Sequence, residues 1–266
     1  MRVLVIPNKQ KDKELLYTNN LTRLLDRYDC EYTVCRDEYA PLSKAADLFI
    51  VLGGDGSIMR ASHDAAKYGI PILSVNLGRM GYMAELEKDE IQLIDRFFSG
   101  DYNIEERMML SVITPDGREH IALNDAVLSN GQVAKMVSFS LYSNGQYLSR
   151  YNADGIIIST PTGSTAYSMS AGGPVVDPSV ECLIATPVCP HSLSNRPVIF
   201  SEKTVLTVKN ETDRDIPMFI TVDGGDNLEI GFGESVIFRK AELSTKLVRV
   251  KDECFYRTLS KKMNQV

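Results

Sequence analysis

A glycine-rich turn containing one acidic residue lies between Phe49 and Met59. An apolar run ends at Gly53-Gly54-Asp55-Gly56, and a helical pattern begins after it. Glycines at such a turn let the backbone approach a bound group closely, and the free amides at the start of the helix favour a phosphate. Asp55 would repel a phosphate unless it holds a metal ion or takes a hydroxyl proton, so the turn predicts phosphoryl transfer. Four turn-forming residues can also make a plain turn, and the tetrapeptide alone does not separate the two.

A second segment, rich in hydroxyl groups, follows another buried-strand pattern. Asp154-Gly155 precede three isoleucines, and the chain continues as Ser159-Thr160-Pro161-Thr162-Gly163-Ser164-Thr165-Ala166-Tyr167-Ser168. Hydroxyls at the start of a short helix either cap its free amides or bind the oxygen atoms of a ligand. Capping uses one or two hydroxyls and this segment has several more, so the pattern favours a ligand-binding segment.

Two shorter motifs carry weaker signals. Asn76-Leu77-Gly78-Arg79-Met80-Gly81-Tyr82 follows a strand pattern, and its glycines can bring a second loop to the sheet edge where the first glycine turn lies. Asn124-Asp125 places an amide beside a carboxylate, and together they offer hydrogen-bond donors and acceptors to a purine or a ribose. Each motif is also compatible with an ordinary connecting turn, so both interpretations stay open at this point.

Two common enzyme classes do not fit these motifs. A dinucleotide-binding turn of the Gly-x-Gly-x-x-Gly type would need a third glycine, and Met59 occupies that position after Gly54 and Gly56. A hydride-transferring Rossmann enzyme is therefore disfavoured. The chain has three histidines and no Ser, His and Asp order that predicts a catalytic triad, so acyl transfer is disfavoured as well.

The elements expected to position these motifs divide the chain into two parts. Over the first hundred residues, strand and helix patterns alternate, which predicts βαβ units and a mainly parallel sheet. Ligands of such sheets bind at the carboxyl ends of the strands, where the glycine turn falls. The predicted strands are Val3–Pro7, Glu31–Cys35, Leu48–Leu52 and Ile70–Asn76, and the predicted helices are Lys11–Tyr28 (with Leu15, Leu16, Leu21, Leu24 and Leu25 facing inward), Ser57–Lys67 and Lys88–Ser99.

The pattern from about residue 101 to 245 is typical of a β-rich domain. Pro115-Asp116-Gly117 and Asn144-Gly145 predict hairpin turns. We therefore expect an α/β N-terminal domain with a mainly parallel sheet over residues 1–100, followed by a β-rich C-terminal domain over 101–245. The tail, 246–266, can return to the first domain as a strand or a helix. Short strand patterns follow the hairpins at Thr204–Val208, Met218–Val222 and Ser235–Arg239.

Composition and charge narrow the function classes further. The 266 residues are 44% hydrophobic and 24% charged, which is usual for a globular protein, and the net charge of −6 disfavours a general nucleic-acid binder. No apolar run approaches the roughly 20 residues of a membrane span, and the run at Val3 ends at Pro7, too early for a signal core. The five cysteines include no Cys-x-x-Cys motif, which favours a reducing compartment. We expect a cytoplasmic protein that binds neither nucleic acid nor membrane.

Taken in order, these motifs resemble those of the NAD kinase family. Each motif is common, but the ordered set is specific and spans residues 48–225. The resemblance implies an α/β first domain like that of the NAD and diacylglycerol kinases. It also implies transfer of the terminal phosphoryl group of ATP to the 2′-hydroxyl of the adenosine ribose of NAD, which gives NADP. The matching segments are Gly53–Gly56, Asn76–Tyr82, Asn124-Asp125, Asp154–Pro174, Pro190–Pro197 and Val222-Asp223-Gly224.

The resemblance also implies roles for individual residues. Asp55 would be the general base or the orienting acid for the 2′-hydroxyl, Gly54 and Gly56 would contact the dinucleotide, and Asn124 and Asp125 would bind adenosine. ATP, or polyphosphate, would arrive with a divalent ion, normally Mg²⁺, and we predict no particular residue as a direct ligand of that ion. The family further implies a homodimer or homotetramer. The remaining substrate-binding positions would be Lys135, Asn152, Asp154, Thr162, Thr165, Ala166, Tyr167, Ser168, Ser170 and Ala185.

Four positions depart from the family's usual pattern. Asp125 stands in place of the more usual Glu, and Tyr82 in place of a frequent Phe. Asn152 occupies a position where a basic residue is common, and Gly225 one where Gln is common. We expect the first two changes to be tolerated. The last two weaken any prediction about contacts to the nicotinamide half or about the choice between NAD and NADH.

Two other functions fit part of the pattern. A lipid kinase of the diacylglycerol or sphingosine type shares the Gly-Gly-Asp-Gly turn, but it would not need Asn124-Asp125 or the hydroxyl segment. A non-catalytic dinucleotide sensor would keep the fold and would be expected to lack Asp55, which is present. Assays with lipid acceptors and for NADP formation separate the three functions.

Overall fold

The computed structural model describes residues 1–35, 46–130, 135–191, 196–212, 216–252 and 255–264. These residues form two compact units, one within Met1–Arg107 and Ser244–Val266 and one within Met108–Leu243. The strands of the described residues are, in chain order, β1 Arg2–Pro7, β2 Glu31–Val34, β3 Leu48–Gly53, β4 Ile72–Asn76, β5 Leu86–Glu87, β6 Asn103–Ile113, β7 Glu119–Ala122, β8 Asp125–Asn130, β9 Val137–Ser143, β10 Gln146–Ala153, β11 Gly155–Ser159, β12 Cys182–Val188, β13 Val198–Ser201, β14 Leu206–Asn210, β15 Met218–Val222, β16 Asn227–Ile230 and β17 Ser235–Arg249. The helices are α1 Leu16–Leu25, α2 Asp55–Tyr68, α3 Ile94–Phe98, α4 Tyr167–Ser170 and α5 Phe255–Met263, with 3-10 turns at Ile91–Leu93 and Thr162–Thr165.

The first unit contains a parallel sheet. Its strands β2, β1, β3 and β4 lie side by side in that order and pair in parallel. β5 and the end of β17, at Leu247, also pair with β4 in parallel. Every residue of β3 is buried, which explains why its sequence is a continuous apolar run rather than an alternating one. The predicted α/β domain with a mainly parallel sheet is confirmed.

The first helix begins later than its periodicity predicts. α1 starts at Leu16 rather than Lys11, after Leu15 in a left-handed conformation with φ 54°. The buried carboxylate of Asp12 accepts hydrogen bonds from the backbone amide of Thr18 at 2.8 Å and from its hydroxyl at 2.6 Å. These bonds fix a turn ahead of the helix, so Leu15 and Leu16 are 40% and 58% exposed. The prediction that these two leucines face inward was wrong, whereas it is confirmed for Leu21 and Leu25, which are fully buried.

The other two predicted helices of this unit are present with different ends. α2 includes Asp55 and Gly56 ahead of the predicted start at Ser57. The predicted helix Lys88–Ser99 is shorter and consists of the 3-10 turn and α3. The glycine turn therefore leads directly from β3 into α2.

The second unit is built from antiparallel strands. β10, β9, β14 and the start of β17 pair in that order, and β6 pairs with β7. A separate six-stranded sheet has the order β13-β12-β11-β8-β15-β16. Side chains from both sets of strands, such as Phe139, Phe238, Ile156 and Ile158, share one hydrophobic core. The predicted β-rich C-terminal domain is confirmed.

Both predicted hairpin turns are present. Asn144 and Gly145 connect β9 to β10 with φ angles of 50° and 78°, as a two-residue hairpin turn with Asn-Gly requires. Pro115-Asp116-Gly117 lies between β6 and β7, where the Thr114 hydroxyl donates to Asp116 Oδ1 at 2.6 Å. β17 continues to Arg249, well beyond the predicted end at Arg239, and its last residues belong to the first unit.

Candidate active site

The glycine turn lies at the carboxyl end of β3 and starts helix α2. Gly54 has an extended backbone, with φ −151° and ψ −173°, and its carbonyl accepts the amides of Ser57 and Ile58 at 2.8 and 3.1 Å. A Cβ on Gly53 would overlap the Ser57 hydroxyl. The turn therefore places Asp55 in the first turn of a 14-residue helix, half-buried, with Gly56 exposed beside it.

Two backbone amides hold the carboxylate of Asp55. Tyr82 N donates to Oδ2 at 2.8 Å and Met83 N donates to Oδ1 at 3.2 Å. A Cβ on Gly81 would overlap this carboxylate, so only glycine lets the second loop come this close. The prediction that the Asn76–Tyr82 segment brings a second loop to the glycine turn is confirmed.

Asn76 gives this second loop its shape. Its side chain is buried, its Oδ1 accepts the amide of Gly78 at 3.0 Å, and its Nδ2 donates to the carbonyl of Arg79 at 3.2 Å. Nδ2 also donates to Glu87 Oε2 at 2.9 Å. Burial raises the pKa of Glu87, while the hydrogen bond from Asn76 acts in the opposite direction.

Two cations lie beside the glycine turn. Lys11 Nζ lies 2.7 Å from the position that a Cβ would take on Gly54 and 2.6 Å from the equivalent position on Gly78. Lys11 and Arg60 line a cavity of about 260 Å³ together with Asn8, Gln10 and residues 54–57. Within the described part of the chain, neither cation forms an ion pair, and Asp55 is the one carboxylate in the lining. Positive charges, free amides and a helix N-terminus around one cavity suit a polyphosphate.

In the second unit, Asp223 organises the Asn124-Asp125 segment. Its carboxylate accepts the amides of Leu123, Asn124 and Asp125 at 2.6, 2.9 and 3.1 Å. Its own amide donates to the carbonyl of Asp125 at 2.9 Å. Asp223 has φ 47°, a left-handed conformation that few residues other than glycine adopt readily.

The carboxyl group of Asp125 is buried next to Asp223. Burial, which penalises the charged form, and the negative charge of Asp223 together raise the pKa of Asp125 to about 7. The group therefore changes charge near neutral pH and can donate as well as accept a hydrogen bond below that point.

The hydroxyl segment packs against the same backbone. Thr160 Oγ1 donates to the carbonyl of Leu123 at 2.6 Å and accepts the amide of Gly163 at 3.1 Å, while Thr160 N donates to the carbonyl of Asn124 at 2.9 Å. A Cβ on Gly163 would overlap that Asn124 carbonyl. The structure thus brings two segments that lie far apart in the sequence into direct contact.

Most hydroxyls of this segment bond to the protein itself. Ser164 Oγ accepts the amide of Val176 at 3.0 Å, Ser168 Oγ lies 2.9 Å from Thr186 Oγ1, and Thr165 Oγ1 donates to the carbonyl of Thr162 at 3.2 Å. Ser168 and Thr162 are buried. The number of hydroxyls is therefore explained largely by the internal bonds of the turn, and the argument from their number to a ligand does not hold. Tyr167 and Ser170 are exposed, and Thr165 and Ala166 are partly exposed.

The four remaining predicted positions lie elsewhere in the second unit. Lys135 is exposed ahead of β9. Asn152 and Asp154 are exposed at the end of β10, where Asn152 Oδ1 accepts the Ser138 hydroxyl at 2.6 Å and Asp154 N donates to the carbonyl of Val188 at 3.0 Å. Ala185 is buried in the core on β12. Residues 192–195 of the Pro190–Pro197 motif, as well as Cys254, lie outside the described residues.

Comparison with known proteins decides the family. The model of the ATP-NAD kinase N-terminal domain matches residues 8–102, and that of the ATP-NAD kinase C-terminal domain matches residues 123–250. An NAD kinase of Natranaerobius thermophilus is 36% identical over 97% of this chain and 96% of its own, and one of a Thermoanaerobacter species is 38% identical over 99% of both. The chain belongs to the NAD kinase family.

Solved structures agree with membership of the NAD kinase family. A crystal structure of an NAD kinase from Archaeoglobus fulgidus in complex with ATP covers 100% of both chains, with a TM-score of 0.80 and 27% identity. A yeast NADH kinase complexed with NADH covers 99% of this chain and 87% of its own, with a TM-score of 0.81. At 19% identity the yeast enzyme supports the fold alone. No helix in the described ranges is long and apolar enough to cross a membrane.

Several residues near these segments are not predicted from the sequence. In the second unit, Asp223 belongs to one of the matching motifs, but its three amide contacts have no local signal. In the first unit, the sequence predicts Lys11 within a helix and indicates no role for Arg60. A basic residue shortly after an acidic glycine turn was the available signal for Arg60, because phosphate sites commonly pair such turns with cations.

Proposed function

We propose that this chain is an NAD kinase, which transfers the terminal phosphoryl group of ATP to the 2′-hydroxyl of the adenosine ribose of NAD and gives NADP and ADP. Membership of the NAD kinase family supports the reaction. The observation that carries the mechanism is the Asp55 carboxylate, fixed by two amides beside a cavity lined with cations.

Asp55 is proposed as the general base. The amides of Tyr82 and Met83 fix its orientation, and each carboxylate oxygen keeps a further lone pair for a hydroxyl proton. In the transfer step, a bond forms between the 2′-oxygen and the terminal phosphorus while the bond from that phosphorus to the bridging oxygen of ADP breaks. The hydroxyl proton passes to Asp55. Base catalysis of this kind contributes about 10²–10⁴-fold in rate.

The cavity beside Asp55 is proposed to hold the phosphates of the donor, ATP or polyphosphate. Lys11 and Arg60 supply the positive charges, and Gly54 and Gly56 leave the backbone open to the ligand. A single carboxylate beside a phosphate site fits Mg²⁺ that enters with ATP and keeps most of its phosphate and water ligands. When bound, that ion neutralises charge on the donor phosphates.

The second unit is proposed to bind the dinucleotide. Asn124 and Asp125, fixed by Asp223, would bind the adenosine, and exposed Tyr167 offers an aromatic face to a base. Lys135, Asn152 and Asp154 remain proposed contacts, as do the partly or fully exposed Thr165, Ala166 and Ser170. The buried Thr162, Ser168 and Ala185 would act by holding the segment in shape.

Three further properties are proposed on the family resemblance. We expect a homodimer or homotetramer, a cytoplasmic location and dependence on a divalent ion. Light scattering on the purified protein measures the oligomer size. Loss of turnover on adding a chelator, with recovery on adding Mg²⁺, would support the ion dependence.

The experiment that tests the proposed function is an endpoint assay of NADP formation with NAD, ATP and Mg²⁺. The wild-type chain should form NADP. Asp55→Asn should keep NAD binding and lose turnover by about 10²–10⁴-fold, because the amide cannot take the hydroxyl proton. Asp64→Asn is the matched control, since Asp64 lies on the same helix and pairs with Lys67 at the surface.

The assay distinguishes failure of the kinase proposal from failure of the role proposed for Asp55. If folded, NAD-binding wild type forms no NADP with ATP or polyphosphate, the chain is a dinucleotide sensor and the kinase proposal fails. If Asp55→Asn turns over as fast as the wild type and Asp64→Asn, the kinase proposal stands and Asp55 is not the base.

A further inference from the structure

The C-terminal helix α5 brings a positive charge to the neighbourhood of Asp55. The ammonium group of Lys262 lies 3.8 Å from the centroid of the Tyr82 ring. The ring of Phe255, at the start of the same helix, lies 6.2 Å from Tyr82, centroid to centroid. Tyr82 therefore holds the helix at one end by ring contact and at the other by a cation–π contact.

The same tyrosine also holds the carboxylate at the turn. Its backbone amide donates to Asp55 Oδ2 at 2.8 Å, so one residue binds both the acid and the neighbouring cation. Lys262 is half-buried, and this burial lowers its pKa while the negative charge of Asp55 opposes the change. Asp55 likewise adds to the burial that raises the pKa of the Tyr82 phenol.

We propose that Lys262 is a further residue of the transfer site, seated by Tyr82 so that its ammonium group interacts with the phosphoryl group as it passes to the hydroxyl that Asp55 orients. This inference rests on the proposed NAD kinase activity. Negative charge on the transferring group is stabilised most strongly by a cation that is already in place and partly shielded from water. Lys262 meets both conditions.

The neighbouring lysine, Lys261, has different surroundings from Lys262. Lys261 is exposed, and its charge acts on Glu90, whose pKa falls below its usual value in part through Lys251 and Lys261. Two consecutive lysines on one helix therefore face different groups, and Lys261 provides a matched control for the loss of one positive charge from α5.

The test compares Lys262→Met, Lys262→Arg and Lys261→Met in steady-state assays of NADP formation. Methionine keeps most of the packing and removes the charge, so kcat should fall about 10²-fold while the KM for NAD stays unchanged. Arginine keeps both the charge and the contact with the ring and should retain most of kcat. Lys261→Met should behave like the wild type. NAD affinity and thermal unfolding of each variant show whether it is folded.

A further variant keeps the inference testable if Lys262→Met unfolds. Tyr82→Leu removes the ring under the ammonium group and should lower kcat, while the backbone amide that binds Asp55 remains. Wild-type kcat in a folded Lys262→Met would overturn the inference. So would an equal loss in Lys262→Met and Lys262→Arg, since charge would then not be the cause. Absence of NADP from the wild type would instead refute the proposed function.

Discussion

Asp125 shows how burial sets the chemistry of a single residue. Its carboxyl group has a pKa of about 7, against 3.8 for an exposed aspartate, because burial and Asp223 both disfavour the anion. At a pH between these two pKa values, Asp125 is protonated in the native state and ionised in the unfolded chain. The free energy of unfolding contributed by this group therefore falls as the pH rises from about 4 to about 7. Below and above that window the contribution is constant.

The residue-scale prediction is that Asp125→Asn removes this pH dependence. Each pH unit over which only the native state is protonated changes the unfolding free energy by about 1.4 kcal/mol. Relative to the wild type, the variant should therefore gain stability between pH 5 and pH 8, by an amount on the order of 3 kcal/mol. Thermal and urea unfolding at the two pH values measure it.

Asp116→Asn is the control for this measurement. Hydrogen bonds, first from Thr114 and then from Arg118, lower the pKa of Asp116 to about 2, so it stays ionised throughout the window. Its effect on stability should be the same at pH 5 and pH 8. If Asp125→Asn also showed a constant difference from the wild type, the raised pKa of Asp125 would be refuted.

At the scale of elements, the end of β17 supports the loop that holds Asp55. Arg249 Nη1 donates to the carbonyl of Met83 and to Glu85 Oε2, both at 3.0 Å, and Nε donates to Glu105 Oε2 at 2.5 Å. Met83 is the residue whose amide binds Asp55. A partly buried cluster of ion pairs thus holds the Met83 peptide, whose amide binds the carboxylate of the proposed base, Asp55.

Arg249→Met is expected to destabilise the protein strongly. Glu85 is only 6% exposed and would be left without its cation, which typically costs about 3–5 kcal/mol. Arg239→Met, on the same strand, breaks an exposed pair with Glu119 and should cost at most about 1 kcal/mol. Urea unfolding of both variants gives the comparison. Equal losses would show that burial of the Arg249 cluster contributes nothing.

Sequence alone predicted elements whose cause is local. The Asn144-Gly145 hairpin followed from the backbone preference of two adjacent residues, and β3 followed from one apolar run. The predicted start of α1 was wrong because the Asp12 carboxylate accepts a hydrogen bond from the backbone amide of Thr18. This side-chain bond fixes a turn where the apolar periodicity of the sequence predicts a helix. The amide contacts that fix Asp55 and Asn124 join residues far apart in the chain, and no local pattern encodes such pairings.

For the whole molecule, binding of ATP must overcome an unfavourable net charge. The chain carries −6 at pH 7, so a polyphosphate is repelled at long range. Salt screens that repulsion beyond a Debye length of about 8 Å at physiological ionic strength. At shorter range, Lys11 and Arg60 would attract the donor phosphates that we propose bind in their cavity, so donor affinity should depend on these two side chains rather than on the total charge.

The prediction for the whole molecule concerns how ligands stabilise it. A ligand that binds only the native chain raises the unfolding free energy by RT ln(1 + [L]/Kd), which is about 2.7 kcal/mol at 100 Kd. The double variant Lys11→Met with Arg60→Met should lose most of the stabilisation by ATP, because the donor phosphates lose both cations, and should keep that by NAD. Lys13→Met removes an exposed charge from the same loop without touching the cavity and should leave both effects intact. Full stabilisation of the double variant by ATP would mean that the donor phosphates bind elsewhere, and equal loss with both ligands would mean that the variant is generally damaged.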